Sequence, residues 1–200
     1  MSHELTITRG FPDALRAQVA RLYDAAFGAK LGIAIPDSAS RLTLLQHAFD
    51  PTYAFAAIAG DQVLGIAGFK TATGSLTSGI TPQRLRAQLG VFGAIRAMVV
   101  LSLFQRSLAP DQLLMDGIAV SPAARGGGIG TKLLDRLKEH AVEDGFRSIR
   151  LDVIDTNPAA RRLYERMNFV PVNTAHFGYL RWLLKFSSAT TLEYRVPTAA

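Results

Sequence analysis

The sequence predicts an α/β fold of the α+β kind, with one twisted, mixed central sheet of about seven strands and helices on both faces. Residues 113–153 contain a strand, a glycine-rich turn, a helix and a second strand, and such a unit requires a parallel strand pair. Most other strands are short and joined by tight turns, which is typical of antiparallel pairing. A chain of 200 residues can bury one substantial core, so residues 1–200 are predicted to form a single domain.

The N-terminal part of the chain predicts a strand, two helices and a β-hairpin. The first helix is expected to end at Gly28, because glycine readily takes the left-handed conformation that closes a helix. Asp61 lies between the two apolar runs of the hairpin and is expected to be a turn residue. The predicted elements are a strand at 5–9, a helix at 11–28, a helix from 37 to about 47, and hairpin strands at 53–59 and 63–70.

Residues 76–110 predict a helical insertion that starts at Thr81-Pro82. Apolar residues lie on nearly every side of this helix, so it must be buried, face a partner or line a cavity. The apolar run 91–104 is interrupted by Arg96 and is shorter than the about 20 residues that cross a bilayer, so no membrane span is expected. Its charged residues are all arginines, so shallow contact with a membrane is a third alternative, besides burial and a homodimer contact.

The C-terminal part predicts a strand at 147–153, a short strand at 169–172 and a last strand at 190–196. Gly145 is expected to close the preceding helix in the left-handed conformation. The connection over 176–186 is rich in aromatic residues and predicts one helical turn or two.

Composition excludes several kinds of chemistry. The chain has no cysteine, so disulfides and thiol nucleophiles are absent, and its four histidines lack metal-binding spacing, so no metal is expected. The net charge of +6 suits an anionic cofactor, but without a basic tail or interleaved aromatics it does not predict nucleic-acid binding. The N-terminus shows no secretion signal, so a cytoplasmic location is expected.

A glycine-rich turn follows the strand at 113–120, which ends before Pro122 because proline has no N–H for the ladder. Three adjacent glycines at 126–128 let backbone N–H groups approach a bulky anion closely. The helix that follows repeats apolar residues every four positions, and its positive N-terminal end points at this turn. The turn therefore predicts an anion site.

The turn matches neither of two common phosphate-binding patterns. Thr131 precedes Lys132 where a P-loop needs Gly-Lys, and Thr131 also occupies the third glycine position of a dinucleotide fingerprint. The pattern present is Arg-x-x-Gly-x-Gly, formed by Arg125, Gly128 and Gly130. In this the sequence resembles the GNAT superfamily of N-acetyltransferases, whose signature binds the pyrophosphate of acetyl-CoA.

A second motif of that family is present downstream. In the family a later helix opens with Asn and carries a Tyr seven residues on, and Asn157 and Tyr164 have this spacing. Taken singly, each feature has a simpler explanation: a flexible connection for the glycines, a helix cap for Asn157 and a core position for Tyr164. Their order and spacing together favour the family, over roughly residues 111–172.

The resemblance implies acetyl-CoA as co-substrate, without a metal, in a cleft where two central strands splay apart after a bulge. The backbone of Ile118 and Val120 would pair with the pantetheine amides, and the turn would hold the pyrophosphate, aided by the Arg125 guanidinium. The implied cofactor-binding residues are Ile118, Ala119, Val120, Arg125, Gly126, Gly127, Gly128, Ile129, Gly130, Thr131 and Asn157.

The implied reaction is acetyl transfer to an amine of a small molecule, amino-acid derivative or peptide. Tyr164 would protonate the departing thiolate. Asp116, on the strand before the turn, is the candidate base for the amine, and a structural ion-pair role for it is equally open. The alternative function is a non-catalytic acyl-CoA-binding module that acts through a protein partner. The residues considered for an apolar acceptor pocket, or equally for core, are Phe92, Phe104, Phe177, Tyr179 and Trp182.

Overall fold

The parallel strand pair predicted over residues 113–153 lies at the centre of the sheet. The computed structural model describes residues 4–102, 107–178 and 186–197. In this part of the chain, Leu113 pairs in parallel with Ile149, and the other strand pairs are antiparallel. The prediction of a mixed sheet is confirmed.

The helices and strands follow one another closely along the chain. They are β1 (Leu5–Arg9), α1 (Arg16–Ala34), α2 (Ser38–Ala48), β2 (Ala54–Ala59), β3 (Gln62–Thr71), β4 (Gly74–Ser75), α3 (Pro82–Ser102), β5 (Gln112–Val120), α4 (Ile129–Glu143), β6 (Ser148–Ile154), α5 (Pro158–Arg166), β7 (Val170–His176) and β8 (Ser188–Arg195). The strand order in the sheet is β1-β2-β3-β5-β6-β8-β7, and the short β4 pairs with β3 beside this path.

Helices cover both faces of the sheet because successive side chains on each strand point to opposite sides. On one face, Leu133 and Leu137 of α4 pack in a core with Phe55 and Phe69 of the first hairpin. On the other face, Val19 of α1 belongs to a second core that also contains the alternate residues of β2 and β3. The predicted two-sided covering is confirmed.

The end predicted for the first helix is wrong. Gly28 does not close α1, which continues through the expected loop to Ala34. The residues beyond Gly28 bury apolar surface, since Leu31 packs against the α1 core and Ala34 is buried under α3. This burial outweighs the roughly 1 kcal/mol that a glycine costs inside a helix.

The insertion at 76–110 contains a long helix, as predicted, and it is bent. Gly90 has φ 71° and ψ −179°, which divides α3 into residues 82–89 and 91–102. Its inner face, with Leu85, Ala94 and Ala97, packs on α1 and α2. By length and composition alone, Pro82–Ser102 would suffice to cross a membrane. Each part on either side of Gly90 is shorter than the about 20 residues a span requires.

Candidate active site

Strands β5 and β6 open a cleft between them at the end where β5 leads into the glycine-rich turn. They pair only from Gln112 to Leu114, opposite Ser148 to Arg150, and beyond these residues they form no ladder. The separation begins beside a β-bulge: Gly117 pairs with Gly68 and Met115 with Phe69, so Asp116 between them has no residue directly opposite. The bulge and splay implied by the family resemblance are both present.

The cleft exposes backbone groups of β5 at alternate residues. The N–H of Ser121 donates to the Leu64 carbonyl of β3 at 2.8 Å, so the backbone of Ser121 faces β3. Because successive residues of a strand point their hydrogen-bonding groups to opposite edges, Val120 and Ile118 present theirs to the cleft. The backbone of Ala119 then faces β3, and its side chain is buried in the core under α1, so it does not line the cleft.

The glycine-rich turn leads directly into the N-terminus of α4. Gly126 and Gly128 have φ of 81° and 76°, conformations that favour glycine, and no atom lies within 4 Å of where their side chains would begin. The first helical hydrogen bond runs from the Lys132 N–H to the carbonyl of Gly128, the N-cap residue, which has no side chain to cap the helix. The N–H groups of Ile129, Gly130 and Thr131 therefore have no acceptor within the helix, and such groups at a helix start can bind an anion.

Positive side chains flank this turn. Arg125 is exposed, and its Nε donates to the Val120 carbonyl at 3.3 Å. Lys132 is exposed on the first turn of α4. This hydrogen bond holds Arg125 beside a carbonyl that faces the cleft. Its guanidinium therefore lies between the glycine-rich turn, where a phosphate would bind, and the backbone of β5, where an amide would bind.

Helix α5 forms the other side of the cleft mouth. The Asn157 side-chain oxygen accepts a hydrogen bond from the Ala160 N–H at 3.2 Å, so the helix-cap explanation for Asn157 is confirmed. Among the described residues none accepts from its side-chain amide nitrogen, which can donate to a ligand. Leu163 of α5 lies beside Gly130, where a methyl group on Gly130 would be 3.1 Å from it. Helix α5 is therefore held against the start of α4.

Tyr164 is a core residue, as the simpler explanation proposed, and it lies on the same helix as Asn157. It is 5% exposed and packs at 6.0 Å between ring centroids against Phe169. Burial raises the pKa of its hydroxyl, so the group keeps its proton at neutral pH. Within the described part of the chain nothing hydrogen-bonds this hydroxyl, so it retains its capacity to donate.

Asp116 is close to two aromatic residues of α1 that the sequence pattern did not single out. Burial, and after it the charge of Asp116, raise the pKa of the Tyr23 hydroxyl. The rings of Tyr23 and Phe27 are 4.6 Å apart, and Phe27 lies directly over Gly117. The only sequence signal was spacing, because Leu15, Val19, Tyr23 and Phe27 recur every four residues on one helix face.

Two of the five aromatic residues considered for an acceptor pocket, Phe92 and Phe177, lie in the described part of the chain. Phe92 is 90% exposed on the outer side of α3, which fits neither a pocket nor core. Phe177 packs edge to face against Phe186 at 5.9 Å, next to the end of β7. Phe104, Tyr179 and Trp182 lie outside the described residues. At the bulge, the half-buried Phe27 covers Gly117 and packs on Tyr23, which belongs to the buried α1 core.

The fold and the site define a class of proteins that hold an anionic cofactor between two splayed strands and a helix N-terminus. The sequence profile of the acetyltransferase (GNAT) family matches residues 17–169, which include the turn, the cleft and both motifs. The chain belongs to this family.

Two solved structures share the fold over nearly their whole length. An N-acetyltransferase from Staphylococcus aureus Mu50 has a TM-score of 0.65 and 16% identity, with 94% of this chain and 100% of that chain covered. A Salmonella typhimurium protein solved with its cofactor acetyl-CoA has a TM-score of 0.58 and 18% identity, with 98% and 96% covered. At these identities the likeness shows the fold.

A thialysine N-epsilon-acetyltransferase from Bos taurus is 36% identical to this chain over 55 residues. The aligned segment is 28% of this chain and 32% of the bovine enzyme, so the chain matches about a third of that relative's length.

The residues described above fit the acetyl-CoA that the family uses: backbone donors for phosphates, cleft-facing strand groups for amides and open space over the glycines. Among the described residues no group of side chains suited to a metal occurs.

Proposed function

We propose that this protein is an acetyl-CoA-dependent N-acetyltransferase that acts on the primary amine of a small molecule, amino-acid derivative or peptide. The observation that carries the proposal is the cleft between β5 and β6, which ends at the uncapped N-terminus of α4. Bound acetyl-CoA supplies an activated acetyl thioester. The residues of this chain then have to bind the amine, accept its proton and protonate the sulfur.

Asp116 is the residue we assign to the amine. It sits at the bulge where the strands part. Ile118, whose backbone faces the cleft, follows two residues later. A carboxylate there attracts an ammonium group and then accepts its proton, which frees the nitrogen lone pair to attack the thioester carbon. As the C–N bond forms the C–S bond breaks.

Tyr164 is the residue we assign to the departing sulfur. A hydroxyl whose pKa is raised by burial stays protonated throughout the neutral range and can donate to a thiolate as charge develops on it. Its position on α5, which packs against the start of α4, supports this role. One proton of the ammonium group passes to Asp116 and then to solvent, and the proton that the nitrogen loses as the amide forms restores the one that Tyr164 gave to the sulfur. The products are the amide, free CoA thiol and one proton.

The acceptor is proposed to carry an apolar group next to its amine. The half-buried ring of Phe27 lies over Gly117, the residue after Asp116, and is supported from behind by the buried Tyr23. Such a ring stabilises a neighbouring cation through its face and an apolar substituent by burial. The bovine relative acts, by its name, on the ε-amine of thialysine.

The test measures CoA thiol release from acetyl-CoA across a panel of amines with the wild type, Tyr164→Phe and Asp116→Asn. Amine-dependent release should fall by about a hundredfold in each variant, since proton transfer by one group contributes that order of rate. Tyr53→Phe is the matched control, because the Tyr53 hydroxyl contacts Thr73 and lies outside the cleft. Acetyl-CoA binding without release for any amine would favour the alternative function.

That alternative is an acyl-CoA-binding module that signals through a partner, and one observation favours it. The outer side of α3 exposes apolar residues that a partner could cover. Calorimetry should show acetyl-CoA binding, also with Tyr164→Phe, for either function, so the cases are separated by turnover: only the transferase releases CoA thiol when an amine is added.

A further inference from the structure

We infer that α3 is a membrane-contact helix: residues 91–102 lie flat on an anionic lipid surface, with their outer face buried among the lipids. The inference rests on this face, its charges and its geometry, and is independent of the acetyl transfer proposed above.

The outer face of α3 is apolar although it points to solvent. Phe92 is 90% exposed, Val99 59%, Ile95 50%, Val91 49% and Met98 37%. These five residues recur at three- and four-residue intervals, so they form one contiguous stripe on the helix. Single exposed apolar residues need no explanation, but a stripe of five marks a surface that something covers.

The inner face of the same helix is already used. Ala94 and Ala97 are buried against Ala34, Ile35 and Leu44 of the α1–α2 layer. The two alanines allow close packing, and Val100 and Leu101 are partly buried against the same core. The five residues of the stripe, several of them larger, point outward. A helix that is larger and more apolar on its exposed side than on its core side is not explained by the core of this chain.

The charged residues of the insertion itself are all positive. From Gln62 to Pro110 the sequence contains five basic residues and no acidic one. Arg84, Arg86 and Arg96 lie exposed along α3, where Arg96 donates to the Ile33 carbonyl at 2.9 Å and Arg84 to the His47 carbonyl. Both guanidinium groups therefore lie on the side of α3 that faces α1 and α2. With the stripe buried among lipids, this side would lie at the depth of the headgroups. Apolar residues flanked by arginines are typical of interfacial helices on anionic lipids.

The same charges disfavour a second copy of this chain as the occupant. A two-fold interface built on this stripe would bring two arginine-only surfaces together without an acidic residue of the insertion to neutralise them. A bilayer with anionic headgroups has the opposite sign of charge. The break at Gly90 also favours a helix that lies on the membrane, because it separates the polar part 82–89 from the apolar part 91–102.

The experiment uses full-length protein and sedimented vesicles of phosphatidylcholine, either alone or with about a third phosphatidylglycerol. We expect binding to the anionic vesicles that weakens as salt rises. The double variant Phe92→Ser/Ile95→Ser should bind at least about tenfold more weakly, since it removes two large side chains from the buried face. Arg86→Glu should weaken binding by about tenfold in low salt and much less in high salt.

The matched control is Val170→Ser/Val172→Ser on β7, where two apolar residues are 54% and 53% exposed but lie outside α3. This variant should bind vesicles like the wild type. Thermal melting of all variants checks that each is folded, which is expected because every substituted side chain is exposed.

Three results would overturn the inference. The first is the absence of binding to anionic vesicles, and the second is equal binding by Phe92→Ser/Ile95→Ser and the wild type. The third is a dimer in sedimentation velocity that Phe92→Ser/Ile95→Ser dissociates, without vesicle binding, which would assign the stripe to a second copy.

Discussion

The ring of Phe27 occupies the space in which a side chain on residue 117 would begin. A Cβ built on Gly117 would lie 2.3 Å from the Phe27 Cζ atom, which is less than any real contact of this kind. Phe27 comes from α1 and Gly117 from β5, one residue after Asp116. Glycine is therefore required here because a helix side chain packs directly on the strand backbone, at the point where the cleft opens.

Gly117→Ala should disturb the acceptor side of the cleft more than the cofactor side. The new methyl group must displace the Phe27 ring, and overpacking of this kind destabilises by about 1–3 kcal/mol. We expect a higher KM for the amine and little change in the KM for acetyl-CoA. The measurement is denaturant unfolding together with kinetics in both substrates.

A second substitution makes the cause of that effect clear. Gly117→Ala/Phe27→Leu removes the ring that the methyl group meets, so it should recover part of the lost stability. The measured quantity is the free energy of unfolding of the two single variants and of the double variant. If the loss in the double variant equals the sum of the two single losses, the contact between the two residues does not explain the requirement for glycine.

Gly128→Ala should weaken the binding of acetyl-CoA. Residue 128 has φ 76° in open space, so alanine there is strained by about 1–2 kcal/mol and its methyl group lies over the donors of α4. We expect the KM for acetyl-CoA to rise by about tenfold, equivalent to the loss of about 1.4 kcal/mol of binding, with kcat nearly unchanged.

The control for this prediction is at the other end of the same helix. Gly145 has φ 72°, and no atom lies within 4 Å of its missing side chain, so Gly145→Ala introduces the same strain away from the cleft. Both variants should lose similar stability, and only Gly128→Ala should change the KM for acetyl-CoA. An equal rise in that KM for Gly145→Ala would refute the assignment of the turn.

What could be predicted from the sequence was the part of the site that is local in the chain. The turn at 126–128, the helix after it and the cap at Asn157 depend on neighbours within a few residues, and these predictions hold. The Tyr23–Phe27–Asp116 group could not be found in this way, because it forms only when α1 crosses β5. The predicted helix end at Gly28 and the pocket or core position expected for Phe92 are wrong for the same reason. Tertiary packing decides that the residues after Gly28 are buried and that the apolar stripe with Phe92 is exposed.

Arg41→Ala should destabilise the protein strongly. Arg41 is 8% exposed, and it pairs with Asp24 of α1 and donates to the Ile35 carbonyl at 2.8 Å. Removal of the guanidinium leaves a largely buried carboxylate without its partner, which destabilises by about 3–5 kcal/mol. The measurement is the free energy of unfolding in urea.

Two further variants test this explanation. Arg136→Ala breaks the more exposed pair with Glu143 and should reduce stability by no more than about 1 kcal/mol. Asp24→Asn/Arg41→Met removes both charges and should be more stable than Arg41→Ala alone. If Arg41→Ala and Arg136→Ala have equal effects, the Asp24–Arg41 pair does not stabilise the α1–α2 layer in the way proposed.

The stability of the protein should fall as the pH is lowered below about 6.5, because of His140. His140 is buried among the rings of Phe55, Phe69 and Phe146. In the described part of the chain neither ring nitrogen has a hydrogen bond, and Nδ1 lies 3.4 Å from the Asp144 carboxylate. Burial lowers the pKa of the imidazole, and the positive Arg9 and Arg136 act in the same direction, while Asp144 and Glu143 oppose them.

A histidine with a lowered pKa in the folded state binds its proton more readily when unfolded. The unfolded chain therefore takes up the proton first as the pH falls, and stability decreases from about pH 6.5 down to the pKa of the folded protein, by at most about 1.4 kcal/mol per pH unit. His140→Leu should remove this part of the pH dependence while the rings around it keep an apolar neighbour. The measurement is urea unfolding of the wild type and His140→Leu from pH 8 down to the lowest pH at which both remain folded. If the free energies of unfolding of the two proteins change with pH in the same way, His140 does not cause the loss.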